Sequence, residues 1–238
     1  MHVVIADSHL GQTEGGEEEF QRALAQIRAR GAVSLYLLGD IFQYLVGDPR
    51  FSTPLTQRFL ESIRGLRAQG VRVVYVEGNR DFFLRGSYLE KEFDAVVPEA
   101  AFEAGGRRFL LVHGDGINAH DWPYRFWRFA SKNAAARALL HAIPGPAARR
   151  IVSRAERRLR DSNFRNKSRL PVEMIRRYAQ KRFQDGYDVL ILGHFHESWR
   201  ASCGGGTVEI VPPFLEERRW MEVEPSGESR LRDLAASA

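Results

Sequence analysis

Five short apolar runs recur along this chain, and each ends in a turn that carries a carboxylate, amide or imidazole side chain. Their aliphatic and β-branched content is typical of buried strands. The five runs are Val3–Ala6, Ser34–Leu38, Val71–Val76, Phe109–Val112 and Val189–Leu192, and two further predicted strands are Val208–Val211 and Trp220–Val223. Because ligands in layered α/β folds gather just beyond strand ends, we expect the five turns to form a binding site.

Helical patterns separate the first three of these strands. In Glu17–Arg30 and Leu55–Ala68, apolar side chains recur at positions i, i+4 and i+7, which predicts amphipathic helices. Alternating strands and helices imply right-handed crossovers and a largely parallel sheet that is covered on both faces. The fold class predicted from the pattern is therefore α/β.

Length and composition exclude several classes of protein. The chain of 238 residues fits one sizeable domain with room for an inserted subdomain. Its single cysteine, Cys203, excludes an intrachain disulfide and a cysteine-rich zinc site. No apolar run approaches the ~20 residues that span a bilayer, and Met1–Ala6 is too short for a signal peptide. We therefore expect a cytoplasmic protein.

A mainly helical segment interrupts the strand series between the fourth and fifth ligand-bearing strands. Pro144-Gly145-Pro146 breaks this segment in two, and Pro171 is expected at the start of another helix. We predict a core formed by residues 1–121 and 184–238, with residues 122–183 as a helical insertion cap.

The predicted insertion cap is strongly basic. Arg125–Arg182 contains 17 Lys and Arg against 3 acidic residues, a local charge of +14, whereas the remainder carries −9. Such a segment attracts phosphorylated ligands, nucleic acid or an anionic membrane, although a solvated helical surface is an equally ordinary explanation. Its aromatic residues fit either an acyl groove or helix packing; they are Trp122, Phe126, Trp127 and Phe129.

The residues in the five turns are all oxygen or imidazole donors: Asp7, His9, Asp40, Asn79, His113, His194 and His196. Without thiolates, this set suits Mn²⁺, Fe²⁺ or Zn²⁺, and of these we expect Mn²⁺. Seven ligands are too many for one transition-metal ion but suit a pair ~3.5–4 Å apart that shares a carboxylate. Each motif alone has an ordinary explanation, such as a simple turn or a core histidine. The ordered set, with each member after a strand, predicts a two-metal site.

This motif series resembles the calcineurin-like metallophosphoesterase superfamily, through Asp7-x-His9, Gly39-Asp40, Gly78-Asn79-Arg80-Asp81, His113 and Gly193-His194-x-His196. The resemblance implies a layered α/β-β-α sandwich of mixed sheets with a helical insertion cap. It implies that one metal ion is held by Asp7, His9, Asp40 and His196, and the other by Asp40, Asn79, His113 and His194. Asp40 would bridge the two ions, and the implied catalytic residues are Asn79, Arg80, His113 and His194.

Arg80 occupies a position at which many members of the superfamily have a histidine that can donate a proton. A guanidinium stays protonated at any working pH, so Arg80 is no practical general acid. It can instead clamp a phosphate with two parallel hydrogen bonds. The alternative is an arginine in a simple surface turn.

The motifs and their neighbours further resemble one branch of the superfamily, the UDP-2,3-diacylglucosamine diphosphatases of the lipid A pathway. That resemblance implies cleavage to UMP and 2,3-diacylglucosamine 1-phosphate. It implies substrate contacts from Asn79, Arg80, Asp121, Ser162, Asn166, Lys167 and His194, with Arg169 as the alternative to Lys167. The implied partners are a nucleotide-sugar lipid and, peripherally, the anionic inner face of the cytoplasmic membrane, with no obligatory protein partner and no nucleic acid.

The chain departs from the branch at Gln43, where an acidic residue is usual, and at Val211-Pro212-Pro213-Phe214. Neither departure involves a predicted metal ligand. Two alternative functions stay open at this point. One is a nuclease or nucleotide phosphodiesterase, for which the basic segment would bind nucleic acid. The other is a scaffold that keeps the fold without metals or catalysis.

Overall fold

The structure is a computed structural model that describes residues 1–117, 133–147, 150, 154 and 170–235. Its strands are β1 (His2–Ile5), β2 (Ser34–Leu38), β3 (Leu45–Val46), β4 (Arg72–Val76), β5 (Asp81–Phe82), β6 (Ala95–Val97), β7 (Glu99–Ala104), β8 (Arg107–Val112), β9 (Val189–Leu192), β10 (Trp199–Cys203), β11 (Gly206–Ile210), β12 (Arg219–Val223) and β13 (Ser229–Asp233). Its α-helices are α1 (Gly16–Ala29), α2 (Pro54–Ala68), α3 (Ala134–Ala142), α4 (Val172–Gln184) and α5 (Phe214–Glu217). Short 3₁₀ turns form at Pro49–Phe51 and Glu90–Glu92.

The first sheet has six strands in the order β13-β12-β1-β2-β4-β6. β1, β2, β4 and β6 run parallel, whereas β12 lies antiparallel to β1 and β13 antiparallel to β12. The strand–helix alternation therefore builds the parallel arrangement that the sequence predicts. β3 and β5 form a separate parallel pair beside this sheet.

The second sheet has five strands in the order β10-β11-β9-β8-β7. β8, β9 and β11 run parallel, with β7 and β10 antiparallel at the two edges. The fourth and fifth ligand-bearing strands, β8 and β9, belong to this sheet. The ligands thus come from two sheets.

The two sheets pack face to face between helical layers. α1 and α2 cover the outer face of the first sheet through buried residues such as Phe20 and Phe59. Leu38 and Phe109 belong to the core between the sheets. α4 covers the second sheet, where Ile175 is fully buried. This layered α/β-β-α sandwich confirms the expected fold.

Local sequence explains where the helices begin. The Thr53 side chain accepts a hydrogen bond from Thr56 N at 3.2 Å, and Pro54 follows at the first helical position of α2. α4 begins directly after Pro171, as predicted from the sequence.

Among the described residues, no helix combines the length and apolar character needed to cross a membrane.

Part of the predicted insertion cap lies within the described residues. α3 is attached to the core by Arg50, which donates to Leu140 O at 2.8 Å and to Ile143 O at 2.6 Å. α4, at the other end of the predicted insertion, forms the outer layer of the second sheet. The division of the chain into core and insertion cap stays a prediction.

Candidate metal centre

The predicted ligands lie where parallel strands of both sheets end. Asp7 and Asp40 follow β1 and β2, and Asn79 follows β4 of the same sheet. His113 follows β8 and His194 follows β9 of the second sheet. Carboxyl ends of parallel strands meet at one edge of each sheet, and face-to-face packing brings the two edges together. The structure therefore places all seven predicted ligands in one region.

Five of these ligands have left-handed backbone conformations: Asp7 (φ 48°), His9 (φ 44°), Asp40 (φ 52°), His194 (φ 68°) and His196 (φ 51°). Such a conformation is uncommon for residues other than glycine and costs about 1 kcal/mol or more. Strain of this kind gathers at functional sites, where the surrounding structure holds it in place. Here it turns the side chains away from the strand direction and towards one another.

Glycines allow the turns to approach closely. A Cβ atom at Gly39 would lie 2.7 Å from Gly78 Cα and 2.5 Å from His113 Nδ1. A Cβ atom at Gly78 would lie 2.4 Å from Asp40 Oδ1. Side chains at either position would push the ligands apart, so the Gly-Asp and Gly-Asn motifs are steric requirements of the site.

The deeper half of the site, here called the inner group, contains Asp40, Asn79 and His113. His113 Nε2 lies 3.1 Å from Asn79 Oδ1 and 3.7 Å from Asp40 Oδ1. The other ring nitrogen, Nδ1, donates to the buried carbonyl Leu38 O at 2.9 Å. That hydrogen bond fixes the ring, so Nε2 faces the carboxylate and the amide as a ligand must.

The side chain of Asp81 stabilises the inner group through hydrogen bonds to its turns. Its fully buried carboxylate accepts hydrogen bonds from Gly78 N at 2.6 Å, Asp40 N at 3.2 Å and Tyr75 Oη at 2.8 Å. It thus ties together the two turns that carry Asp40 and Asn79. The sequence motif includes Asp81 without indicating this role.

The outer group contains Asp7, His9 and His196, whose ligand atoms all lie within 4.8 Å of one another. His9 Nε2 and His196 Nε2 are 3.2 Å apart, and His196 Nε2 is 3.7 Å from Asp7 Oδ1. The second carboxylate oxygen, Asp7 Oδ2, accepts a hydrogen bond from His194 N at 2.7 Å. Asp7 therefore orients the turn of the second sheet while its Oδ1 faces the histidines.

The residues fit a divalent ion by an independent criterion. Within the described part of the chain, the buried Asp7 Oδ1 and His9 Nδ1 have no hydrogen-bond partner. Buried polar atoms are normally paired, and an unpaired carboxylate oxygen facing two imidazoles is a ligand arrangement. Ligand bonds of ~2.1 Å place neighbouring donors roughly 3–3.5 Å apart, which matches the separation of the two Nε2 atoms.

Burial and the nearby carboxylates shift the pKa values of the histidines in opposite directions, and a different one prevails at different histidines. Burial opposes protonation of His113, but Asp40, Asp7 and Asp115 outweigh it and raise its pKa to about 9. Burial lowers the pKa of His9 to about 3 and that of His194 to about 4. The carboxylates around His113 thus attract positive charge, which a cluster of metal ligands requires.

Arg80 lies beside Asp40 rather than on an open surface. Its side chain is 13% exposed, with Nε 3.4 Å from Asp40 Oδ2, and one terminal nitrogen donates to Gln43 O at 3.3 Å. Its backbone N–H donates to Asp40 Oδ1 at 2.8 Å. The guanidinium therefore stands at the rim of the ligand cluster, which favours a phosphate clamp over a surface turn.

Four predicted substrate contacts, Asp121, Ser162, Asn166 and Lys167, lie outside the described residues. Three described residues help to hold ligand-bearing turns or rings although the sequence pattern predicts no such role for them: Asp81, Tyr75 and Glu216. Asp81 stands inside a recognised motif, whereas nothing in the sequence around Glu216 marks it.

Comparison with known proteins agrees with this geometry. The chain is 31% identical over 196 residues to a UDP-2,3-diacylglucosamine hydrolase from Shigella dysenteriae serotype 1 (strain Sd197), covering 81% of this chain and 80% of that one. It is 29% identical over 237 residues to a protein of the same name from Stenotrophomonas maltophilia (strain K279a), covering 94% of each.

Among solved structures, a dimetal phosphatase from Danio rerio shares the fold with a TM-score of 0.50 at 17% identity, over 98% of this chain and 96% of that one. The sequence pattern of the calcineurin-like phosphoesterases matches residues 3–198, a span that holds every predicted ligand. Donor set, fold and sequence match converge on one conclusion: this chain belongs to the calcineurin-like phosphoesterase family.

Proposed function

We propose that this protein hydrolyses the pyrophosphate of UDP-2,3-diacylglucosamine to UMP and 2,3-diacylglucosamine 1-phosphate. The observation that carries the proposal is the pairing of a two-metal ligand cluster with Arg80 at its rim, 3.4 Å from Asp40. Relatives named UDP-2,3-diacylglucosamine hydrolase support this substrate over others.

Asp7, His9, Asp40 and His196 would hold one ion, and Asp40, Asn79, His113 and His194 the other. When bound, the ions supply a Lewis acid for phosphate oxygens and activate a water molecule for attack on phosphorus. Oxygen and imidazole donors without thiolates are compatible with Mn²⁺, Fe²⁺ and Zn²⁺, and of these we propose Mn²⁺.

Arg80 is proposed to hold the diphosphate. Its guanidinium is permanently charged and presents two donors in one plane, so it can neutralise and orient non-bridging oxygens. It cannot donate a proton to the leaving group. A phosphate leaving group needs little protonation, which is why an arginine serves a diphosphate substrate at this position.

The basic segment Arg125–Arg182 is proposed to meet the lipid substrate at an anionic membrane surface. Charge reversal at Arg149, Arg150 and Arg157 should weaken binding to anionic vesicles at low salt while sparing hydrolysis of detergent-dispersed substrate. Unchanged vesicle binding would mean that these arginines form only a solvated surface.

The test of the reaction is incubation of the purified protein with UDP-2,3-diacylglucosamine and Mn²⁺, with UMP release as the measurement. Parallel incubation with single-stranded DNA and with a simple aryl phosphodiester examines the alternative of a nucleotide or nucleic-acid phosphodiesterase. UMP release much faster than cleavage of the other two supports the proposal. Cleavage of DNA without UMP release would overturn it.

A further inference from the structure

The short helix α5 stands directly beside the outer group. After β11 the chain forms a bridge between Pro213 and Ala6, the residue before Asp7, and Phe214 N donates to Ala6 O at 3.1 Å. The Phe214 side chain is fully buried and packs edge-on against Phe20, with ring centroids 5.7 Å apart. These contacts fix α5 to the end of β1, so its side chains have a defined position relative to the site.

From α5, Glu216 reaches the ring of His196. Glu216 Oε1 lies 3.3 Å from His196 Nδ1, and the Glu216 side chain is 60% exposed. An ionised carboxylate can only accept hydrogen bonds, so the proton of this contact belongs to Nδ1. The other ring nitrogen, Nε2, then presents its lone pair towards Asp7 and His9.

The same arrangement holds the inner histidine. His113 Nδ1 donates to Leu38 O, and its Nε2 faces Asp40 and Asn79. Both histidines therefore have one nitrogen fixed by an acceptor of this chain and the other directed into the ligand cluster. Acceptors of this kind set the tautomer and the ring orientation of metal-binding histidines.

We infer that Glu216 is a positioning residue for the metal centre, acting through His196; the inference rests on the proposed assignment of His196 as a ligand. Glu216 lies beyond residues 3–198, the span that matches the family pattern. It follows Val211-Pro212-Pro213-Phe214, where the sequence departs from the branch that it resembles. The stretch directly after the departing segment thus supplies a group that contacts the outer half of the site.

The neighbouring acid provides a matched control. Glu217 carries the same charge on the same helix, but its carboxylate lies 3.7 Å from Arg219 rather than beside His196. Glu216→Ala and Glu217→Ala remove equal charge from α5, and Glu216→Gln keeps an acceptor for Nδ1–H. Differences between these variants therefore report the contact with His196 and not the general electrostatics of the helix.

The experiment measures Mn²⁺ affinity by calorimetric titration of metal-free protein, alongside its melting temperature and, for Mn²⁺-saturated protein, UMP release. We expect Glu216→Ala to weaken one of two binding steps by about 10–100-fold, without lowering the melting temperature of the metal-free protein. Glu216→Gln should lose less affinity, and Glu217→Ala should match the wild type. Saturating Mn²⁺ should restore most of the turnover of Glu216→Ala.

The outcomes separate this inference from the function on which it rests. Two Mn²⁺ sites in the wild type with unchanged affinity in Glu216→Ala would overturn the positioning role alone. An equal loss in Glu216→Ala and Glu217→Ala would also overturn it, because charge and not the contact would then matter. Failure of the wild type to bind Mn²⁺ would overturn the metal assignment itself.

Discussion

The two halves of the candidate metal centre are built in different ways. In the inner group, His113 is 1% exposed and is oriented by a backbone carbonyl, and Asp40 is held by the buried Asp81. In the outer group, the His196 side chain is 31% exposed and meets the exposed side chain of Glu216. The inner half is fixed by the sandwich itself, whereas part of the outer half depends on a surface contact.

The two halves should therefore differ in how well they tolerate amino-acid substitutions. The carbonyl that orients His113 belongs to the backbone, so no substitution removes it. The buried carboxylate of Asp81 cannot be removed without leaving its hydrogen-bond donors unpaired. An exposed acid can be replaced at little cost to the fold. We therefore expect substitutions in the inner group to affect metal binding and stability together, and those around His196 to affect mainly metal binding.

The largest effect is expected from Asp40→Ala, because this carboxylate is proposed to bridge both ions. Turnover should fall by at least about 1,000-fold, beyond the 10–100-fold typical of residues that only orient ligands. His196→Ala, which removes a ligand of one ion, should lose about tenfold less. Steady-state hydrolysis with metal content of the purified variants is the measurement. More than a tenth of wild-type activity in Asp40→Ala would contradict the two-metal assignment.

The pH dependence of the metal-free protein tests the inner group alone. The pKa of His113 is about 9 in the folded protein, against an ordinary value of 6.5. Its protonation therefore adds stability that is fully present below pH 6.5 and is lost as pH rises towards 9. The expected loss in free energy of unfolding is on the order of 3 kcal/mol.

Urea denaturation of chelator-treated protein between pH 6.5 and 9 measures this loss, and His113→Gln should remove it. His9 and His194, whose pKa values are lowered, affect stability in a different pH range. Their contribution to the free energy of unfolding is lost as pH falls below 6.5. If the free energy of unfolding of His113→Gln still falls by the same amount between pH 6.5 and 9, other titrating groups cause the fall.

A smaller effect is expected from Asp81→Asn, which keeps the shape of the side chain but replaces a charged acceptor. Mn²⁺ affinity and turnover should fall by about 10–100-fold, as for other residues that support metal ligands. Tyr75→Phe removes only one of the donors to Asp81, so its loss should be less than tenfold. Wild-type affinity in Asp81→Asn would show that the two turns hold their positions without the carboxylate.

The smallest effect concerns backbone strain in the outer group. His196 has φ 51°, so His196→Gly should stabilise the metal-free protein by about 0.5–1 kcal/mol while weakening Mn²⁺ binding. Arg218→Gly, at φ 54° outside the ligand set, should give a similar gain and leave Mn²⁺ binding intact. Thermal denaturation measures both. Destabilisation by His196→Gly alone would mean that contacts of the histidine ring outweigh the strain.

The interior of the fold could be predicted from the sequence because buried strands are continuous apolar runs. The predicted strands Ser34–Leu38 and Val189–Leu192 match β2 and β9 at both ends. The strands that the sequence did not indicate include β6, β7, β10 and β13, which are the edge strands of the two large sheets. Edge strands are partly exposed and mix polar with apolar residues, so they lack such a run.

The ligands could be predicted because each follows a strand end, and resemblance supplied their pairing. The groups that hold them could not. Glu216 lies 20 residues from His196, and His113 is oriented by a carbonyl 75 residues away. A backbone carbonyl carries no mark of residue type, and an exposed glutamate looks like any solvated acid. Such contacts are set by three-dimensional packing and not by local pattern.

The position of β1 has a consequence for biosynthesis. β1 precedes Asp7 and His9, and it lies between β2 and β12, with His2 opposite both Ser34 and Val223. A ribosome therefore releases β1 and β2 close together but supplies the other partner, β12, only some 200 residues after β1. Until then one edge of β1 stays open in the nascent chain, where it can pair with other strands. Glu216 lies just before β12, so the strand that covers the open edge of β1 and the group that orients His196 leave the ribosome almost together.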